Sequence, residues 1–280
     1  MRLYILHKTH YRYPSPVRES FNELRLHPLT NDWQRCESCF VSVLPTAQMR
    51  QYLDLNGNIV HHFDIPNDHS KLLIESRSTV VTQKRVDFDN FPYGSTMKSL
   101  REVEGNPDCR PYLQKSNYID ISPDTWRMAV DLQGNSKDVF QTAYQIMEHI
   151  YLNYEYCVST TSVSTHANEV LKSKKGVCQD FAHILISAAR FNQLPARYIN
   201  GFLLEDTVSG ENTTHAWVEI FINNLGWVAF DPSHKKCIDD KYIRISTGFD
   251  FEDASIIKGV KNNYNGDEFL DTKVNIENCQ

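Results

Sequence analysis

Apolar and polar residues alternate in short runs through the first 84 positions, at 3–6, 9–13, 19–26, 36–43, 50–55, 59–65 and 71–81. Period two sends successive side chains to opposite faces, so each run reads as a strand with one buried side. Pro14-Ser15-Pro16 ends the second run, and Asn56-Gly57 is a two-residue hairpin signal between the fifth and sixth. Short strands at this spacing predict a β-sandwich over residues 1–84. Residues 85–121 carry no clear period and read as a linker packed on the surface.

The period changes to 3.6 only after Ser122. Ser122-Pro123-Asp124 is a start signal for a helix over 125–132, and Gly134 ends it. Ser136 is placed to cap a second helix over 137–151, where Val139, Ala143, Ile146, Met147 and Ile150 share a face. Thr165 is expected to cap a short helix through 172. Segment 178–191 is apolar around most of its circumference, with Phe181, Ala182, Ile184, Leu185, Ile186, Ala188 and Ala189, which predicts a central, buried helix. Runs at 197–204, 214–222 and 227–230 read as strands, separated by a polar loop at 205–213 and a turn at 223–226. The fold class is α+β, with residues 122–280 forming a core in which a central helix packs on an antiparallel sheet, preceded by the β-sandwich.

Composition narrows the function classes. At 280 residues and 41% hydrophobic content the chain can bury the cores of two domains. No stretch reaches the roughly 18 apolar residues of a membrane helix, so no membrane partner is expected. The opening residues lack a long apolar run and a cleavage site, which predicts no signal peptide and a cytoplasmic location. Net charge is −6 and no basic run stands out, which argues against a nucleic-acid partner. Of the seven cysteines, Cys36 and Cys39 form a C-x-x-C pair. Three positions apart on a strand they are expected on opposite faces, and no second pair completes a metal site, so no metal is expected.

The candidate chemistry lies between Gly176 and Pro232. Cys178 opens the central helix, where free N–H groups and positive potential favour an anionic sulfur and can hold an oxyanion. A buried structural thiol is the plainer alternative. Asp180 or Gln179 is placed to support the helix start. His215 opens a strand on which His215, Trp217, Glu219 and Phe221 share a face. Asp231 ends the next strand, with Pro232 blocking continuation. An odd number of unpaired residues in the turn puts His215 and Asp231 on one face as diagonal neighbours, within reach of an Nδ1–H···carboxylate bond; an even number separates them. His234 is a fallback base. Trp217 and Trp227 are placed to wall a substrate groove or to fill the core. His183, five residues beyond Cys178, points elsewhere and reads as a core histidine.

Gly-Val-Cys-Gln-Asp-Phe-Ala-His at 176–183, Ala196-Arg197-Tyr198, Thr-His-Ala-Trp-Val-Glu at 214–219 and Leu-Gly-Trp-Val-Ala-Phe-Asp-Pro at 225–232 resemble the bacterial transglutaminase-like superfamily, related to papain-like cysteine peptidases and animal transglutaminases. The opening, His-Lys-Thr-His-Tyr-Arg-Tyr-Pro-Ser-Pro-Val at 7–17, and Leu-Asn-Gly-Asn-Ile-Val-His-His-Phe at 55–63 resemble the β-rich domain that often precedes this core. The resemblance implies Cys178 as nucleophile, His215 as general base and acid, and Asp231 as the group that orients the imidazole. It also implies an upstream aromatic residue at the oxyanion, Tyr156 or its substitute Tyr154; Gln179 and Trp217 are, from their places in the chain, further candidates for the oxyanion or substrate. The segment 248–253 is similar to the family's Gly-x-Asp-x-x-Asp, with Phe249 where a basic residue is usual. The expected activity is a cysteine peptidase or amidase acting on a peptide or protein without cofactor or metal. A protein-glutamine acyltransferase and a non-catalytic binding protein are the alternatives, and the sequence sets no oligomeric state.

Overall fold

The computed structural model describes residues 1–84, 95–96, 105–120, 122–134, 138–157, 166–205, 214–223, 225–262, 264 and 266–279. Strands β1 (Arg2–Val17), β2 (Ser20–Leu24), β3 (Gln34–Leu44), β4 (Arg50–Leu53), β5 (Ile59–Ile65) and β6 (His69–Thr82) open the chain. Leu3, Ile5, His7 and Thr9 of β1 are buried while the residues between them are more open, the alternation read from sequence. The chain does not stop at Pro14-Ser15-Pro16. It stays extended through both prolines, and only the pairing with β6 skips from Arg12 to Val17. Proline keeps φ near values that extended chain tolerates but brings no N–H, so the ladder breaks where the strand does not.

The second half follows as α1 (Pro123–Gln133), α2 (Val139–Asn153), β7 (Glu155–Tyr156), α3 (Ala167–Ser173), β8 (Lys175–Gly176), α4 (Cys178–Phe191), β9 (Ala196–Leu203), β10 (Thr214–Ile222), β11 (Gly226–Asp231), β12 (Lys236–Cys237), β13 (Tyr242–Gly248), α5 (Phe251–Ala254), β14 (Ile257–Lys261) and β15 (Phe269–Asn278). Ser122 caps α1 by accepting from the Thr125 N–H, as expected. Helix α2 is capped by Asp138, whose Oδ1 accepts from the Gln141 N–H at 2.8 Å. The expected caps Ser136 and Thr165, and the loop residues 206–213, lie outside the described residues.

Three principal sheets result, ordered β15-β1-β6-β3, β14-β2-β5-β4 and β12-β11-β10-β9-β13, and β7 and β8 form a short parallel pair. The first two share the core of Leu3, Ile5, Leu24, Phe63, Ile74 and Val274 and form the predicted N-terminal sandwich. They are not built from residues 1–84 alone. Strand β15 pairs with β1 over its length and β14 with β2, so the last strands return from the core to complete both sheets. Helices α1 to α4 pack on the five-stranded sheet around Ala143, Ile146, Leu185, Val218 and Phe230. Phe202, Ile243 and Ile245 from that sheet join the sandwich core instead.

Two further expectations change. Within 85–121, the described residues 105–120 are not a surface linker: Cys109 and Ile119 have no exposed surface, and the Tyr112 ring sits 5.2 Å from Trp227 and 5.0 Å from Phe249. Cys36 and Cys39 share a face. Cys36 pairs with Val80 and Cys39 with Ser78, because the register shifts between Cys36 and Ser38. One extra residue in a bulge reverses the parity of everything after it. Among the described residues no helix is long and apolar enough to cross a membrane.

Burial sets an acid limit on this fold. His7 is 1% exposed and His183 fully buried, and burial pushes their imidazoles from 6.5 down to about 4 and about 3. Between those values and 6.5 the unfolded chain binds protons that the folded chain refuses, so stability falls as pH drops through that window. We expect urea unfolding to show a loss on the order of 3 kcal/mol between pH 7 and pH 5. A flat profile over that range would contradict neutral buried histidines.

Candidate active site

The tip of α4 is assembled by a close approach that only glycine permits. Val177, extended at φ −115°, precedes the helix, and its N–H donates to Asp180 Oδ2 at 2.8 Å. Asp180, rather than Gln179, therefore reaches back to hold the first turn. A Cβ on Gly176 would stand 2.8 Å from Asp180 Cβ and 3.1 Å from Val170 Cγ1. Gly176 also pairs with Tyr156 across β7 and β8, and its carbonyl accepts from the Cys157 N–H at 2.8 Å. Cys178, half-buried, is thus the first helical residue of a rigid junction between α3, α4 and β7. The Tyr156 phenol stands beside Cys178, whose side chain and backbone both act on its ionisation. Burial and the neighbouring sulfur raise that phenol well above its ordinary range.

The turn between β10 and β11 resolves the parity left open by the sequence. Ile222 pairs with Gly226, leaving three residues unpaired, and the ladder continues to Val218 opposite Phe230. Asp231 then stands level with Trp217 and diagonal to His215, on one face. His215 Nε2 is 2.8 Å from Asp231 Oδ2. The expectation of an Nδ1 contact is corrected: the ring meets the carboxylate through Nε2, and Cys178 is among the groups that act on the charge of the imidazole.

Asp231 is fully buried and both of its oxygens accept hydrogen bonds. Besides His215, Oδ2 accepts from His234 Nδ1 at 2.8 Å and from the Tyr242 hydroxyl at 2.7 Å, while Oδ1 accepts from the Ser233 N–H at 2.8 Å. Burial alone would raise this carboxyl, but His215 and His234 outweigh it and hold Asp231 well below the usual carboxylate range. The same balance runs the other way at His215: burial opposes the charge, and Asp231 and Cys178 together lift the imidazole well above its ordinary value. Gly201 on β9 lies opposite His215. A Cβ there would fall 2.1 Å from the Ile243 carbonyl oxygen and 2.6 Å from Trp217 Cη2. That bare position makes room for Trp217 beneath the imidazole.

Trp217 shares the His215 face, as predicted, but does not wall a groove. It has no exposed surface; its ring lies 6.2 Å from His215 in a stacked orientation and 5.3 Å from Tyr242 edge-on. Trp227 carries the Arg197 guanidinium at 4.0 Å, and Arg197 in turn pairs with buried Glu219 at 2.6 Å. Tyr154 turns its hydroxyl toward Met128 Sδ at 3.9 Å, and of the two tyrosines it is Tyr156 whose ionisation responds to Cys178. Gln179 is half-buried on the first turn of α4. His183 is a core histidine whose Nε2 accepts from the Phe251 N–H at 3.2 Å. The segment 248–253 is structural: Asp250 caps α5 and accepts from the Tyr118 N–H at 3.0 Å, while Asp253 accepts from the Phe249 N–H at 3.2 Å. Sequence reasoning missed Tyr242 as a partner of Asp231, and it weighed His234 only as a base. The ligand atoms of His215, Asp231 and His234 lie within 4.8 Å of one another, a spacing that can hold a metal. Hydrogen bonds onto one carboxylate oxygen account for that spacing without an ion.

Comparison with known proteins fits this layout. Residues 127–232 match the transglutaminase-like superfamily, and residues 3–81 match the bacterial transglutaminase-like N-terminal region. The uncharacterized protein ML0607 of Mycobacterium leprae is 28% identical over 99% of this chain and 98% of its own length. The uncharacterized protein Rv2569c of Mycobacterium tuberculosis is 27% identical over 98% of this chain and 92% of its own. The crystal structure of a "putative cysteine protease" from Cytophaga hutchinsonii superposes with a TM-score of 0.79 at 22% identity, over 99% of this chain and 90% of that one. At that identity the likeness speaks to the fold.

The junction at Gly176 gives a direct test. Gly176→Ala forces Asp180 or Val170 to move, at a cost of about 1–3 kcal/mol in urea unfolding. It should also slow alkylation of Cys178 by iodoacetamide, because the helix tip shifts. Wild-type stability and alkylation rate in that variant would show that the close approach is not needed.

Proposed function

The chain belongs to the transglutaminase-like superfamily, and from that premise we propose that it cleaves a peptide or carboxamide bond through a thioester on Cys178. The observation that carries this reading is the 2.8 Å contact of His215 Nε2 with the buried Asp231 carboxylate, on an imidazole whose charge Cys178, at a helix N-terminus, also supports. Each group is placed for one step of acyl transfer.

In the proposed reaction the Cys178 thiolate attacks the substrate carbonyl carbon, and the carbonyl π-electrons move onto oxygen. The Cys178 N–H at the helix start and the Tyr156 hydroxyl, whose ionisation responds to Cys178, are the proposed donors for that oxyanion. Gln179, next on the same turn, is proposed to flank the substrate. His215, holding the proton taken from the thiol, passes it to the leaving nitrogen as the C–N bond breaks, and the acyl group remains as a thioester. Water then attacks the thioester with its proton going to His215. The carboxylic acid departs, and the proton returns to sulfur. Asp231 keeps the ring in place and stabilises the imidazolium, remaining anionic throughout. Water is the proposed acceptor because it is abundant and a half-exposed tyrosine edges the sulfur.

Cys178→Ala should lower turnover of a responsive peptide by at least about 1,000-fold. Unchanged turnover would remove Cys178 as the nucleophile, whereas a wild type without turnover would favour a binding protein on this fold. Mass spectrometry of a glutamine-containing peptide with an added primary amine separates the two chemistries. Hydrolysis or deamidation is expected; an amine adduct as the sole product would assign a protein-glutamine acyltransferase instead.

A further inference from the structure

We infer that His234 is a positioning residue for the Asp231–His215 pair: its Nδ1–H clamps Asp231 in the one orientation that grips His215 Nε2. The inference rests on the proposed roles of Cys178 and His215 and adds a member that those roles do not require. Asp231 Oδ2 is an acceptor only, so the 2.8 Å contact makes His234 Nδ1 the protonated nitrogen. His234 Nε2 lies on the outer side of the ring, 3.7 Å from Glu205 Oε1. With Nδ1 committed to the carboxylate, His234 holds the acid and does not replace the base.

Local chain geometry supports the clamp. Pro232 and Ser233 fold the chain back so that His234 N–H reaches the Asp231 carbonyl at 3.4 Å, while Ser233 N–H takes Oδ1 at 2.8 Å. The turn thus secures one carboxylate oxygen and delivers a side chain to the other. Tyr242 from β13 reaches Oδ2 as well, at 2.7 Å, and the His215 and His234 rings lie 5.2 Å apart edge to face. Without His234, Oδ2 keeps Tyr242 and His215, and the carboxylate regains torsional freedom on the side His234 covered. Exposure adds a second consequence. The His234 side chain is 38% exposed, whereas His215 is 7% and Asp231 0%. His234 therefore stands between bulk water and the buried ion pair, and removing it raises the local dielectric at that pair.

The test compares His234→Leu, which keeps bulk but cannot donate, with His234→Asn, whose amide nitrogen is bonded to the same carbon as Nδ1 and can donate to Asp231. The leucine variant should lose about 10- to 100-fold in kcat with KM within about twofold. The asparagine variant should recover to within about threefold of wild type. Iodoacetamide alkylation of Cys178 at neutral pH needs no substrate and should follow the same order. Matching thermal unfolding of the two variants ties the difference to the site. Asparagine no better than leucine, a loss in KM with kcat kept, or a leucine variant equal to wild type would each overturn the inference. The two readings fail separately. Alkylation that follows the expected order in a protein without Cys178-dependent turnover supports the clamp and rejects the hydrolase. Cys178-dependent turnover indifferent to both substitutions rejects the clamp alone.

Discussion

A carboxylate with no exposed surface is the constraint around which the site is organised. Burying an unpaired charge costs many kcal/mol, so Asp231 persists as an anion because both its oxygens are hydrogen-bonded and two histidines stand against it. The partners come from separate parts of the core: His215 from β10, Tyr242 from β13, and Ser233 and His234 from the turn that follows β11. Satisfying this one group therefore fixes the ends of three strands and the rotation of the imidazole. Sheet register sets the position of His215, and the carboxylate sets which nitrogen is engaged by the acid.

The opposite wall depends on backbone approach rather than charge. Gly176 lets α3, β7 and the tip of α4 meet with no Cβ between them, and Gly201 clears space for Trp217 under the imidazole. Two positions without side chains thus determine how near sulfur and ring can come. The sandwich is tied to the same frame. Strands β14 and β15 return to its two sheets, the Cys279 N–H reaches the Arg2 carbonyl at 2.7 Å, and Phe202 and Ile245 of the five-stranded sheet insert into its core. The family's two matched regions are in this chain one continuous packing arrangement.

Much of this was legible because burial writes a period into sequence. Helix α4 announced itself by apolar residues on all sides, and the triad of candidate groups by their places at element boundaries. The parity rule for the turn was readable too, although the choice between odd and even needed the observed Ile222–Gly226 pairing. What stayed hidden has physical causes. A period gives the face of a side chain but not its ring rotation, so the choice of Nε2 over Nδ1 at His215 was out of reach. The bulge after Cys36 carries no residue signature, yet it moves Cys39 to the other face. Strand β15 is exposed at eight of its ten positions and so lacks the alternation that marks a strand. Tyr242 reaches Asp231 across intervening strands, a contact no local pattern encodes.

The central claim joins the observed contact of His215 Nε2 with the carboxylate to the proposed approach of Nδ1 to the thiol. Nitrogen-15 NMR of the His215 ring, recorded before and after alkylation of Cys178, reads both directly. The expected spectrum has a protonated Nε2 with a strongly downfield proton that survives alkylation, and an Nδ1 resonance that shifts when sulfur is capped. A ring bonded to the carboxylate through Nδ1, or one indifferent to alkylation, would contradict the account.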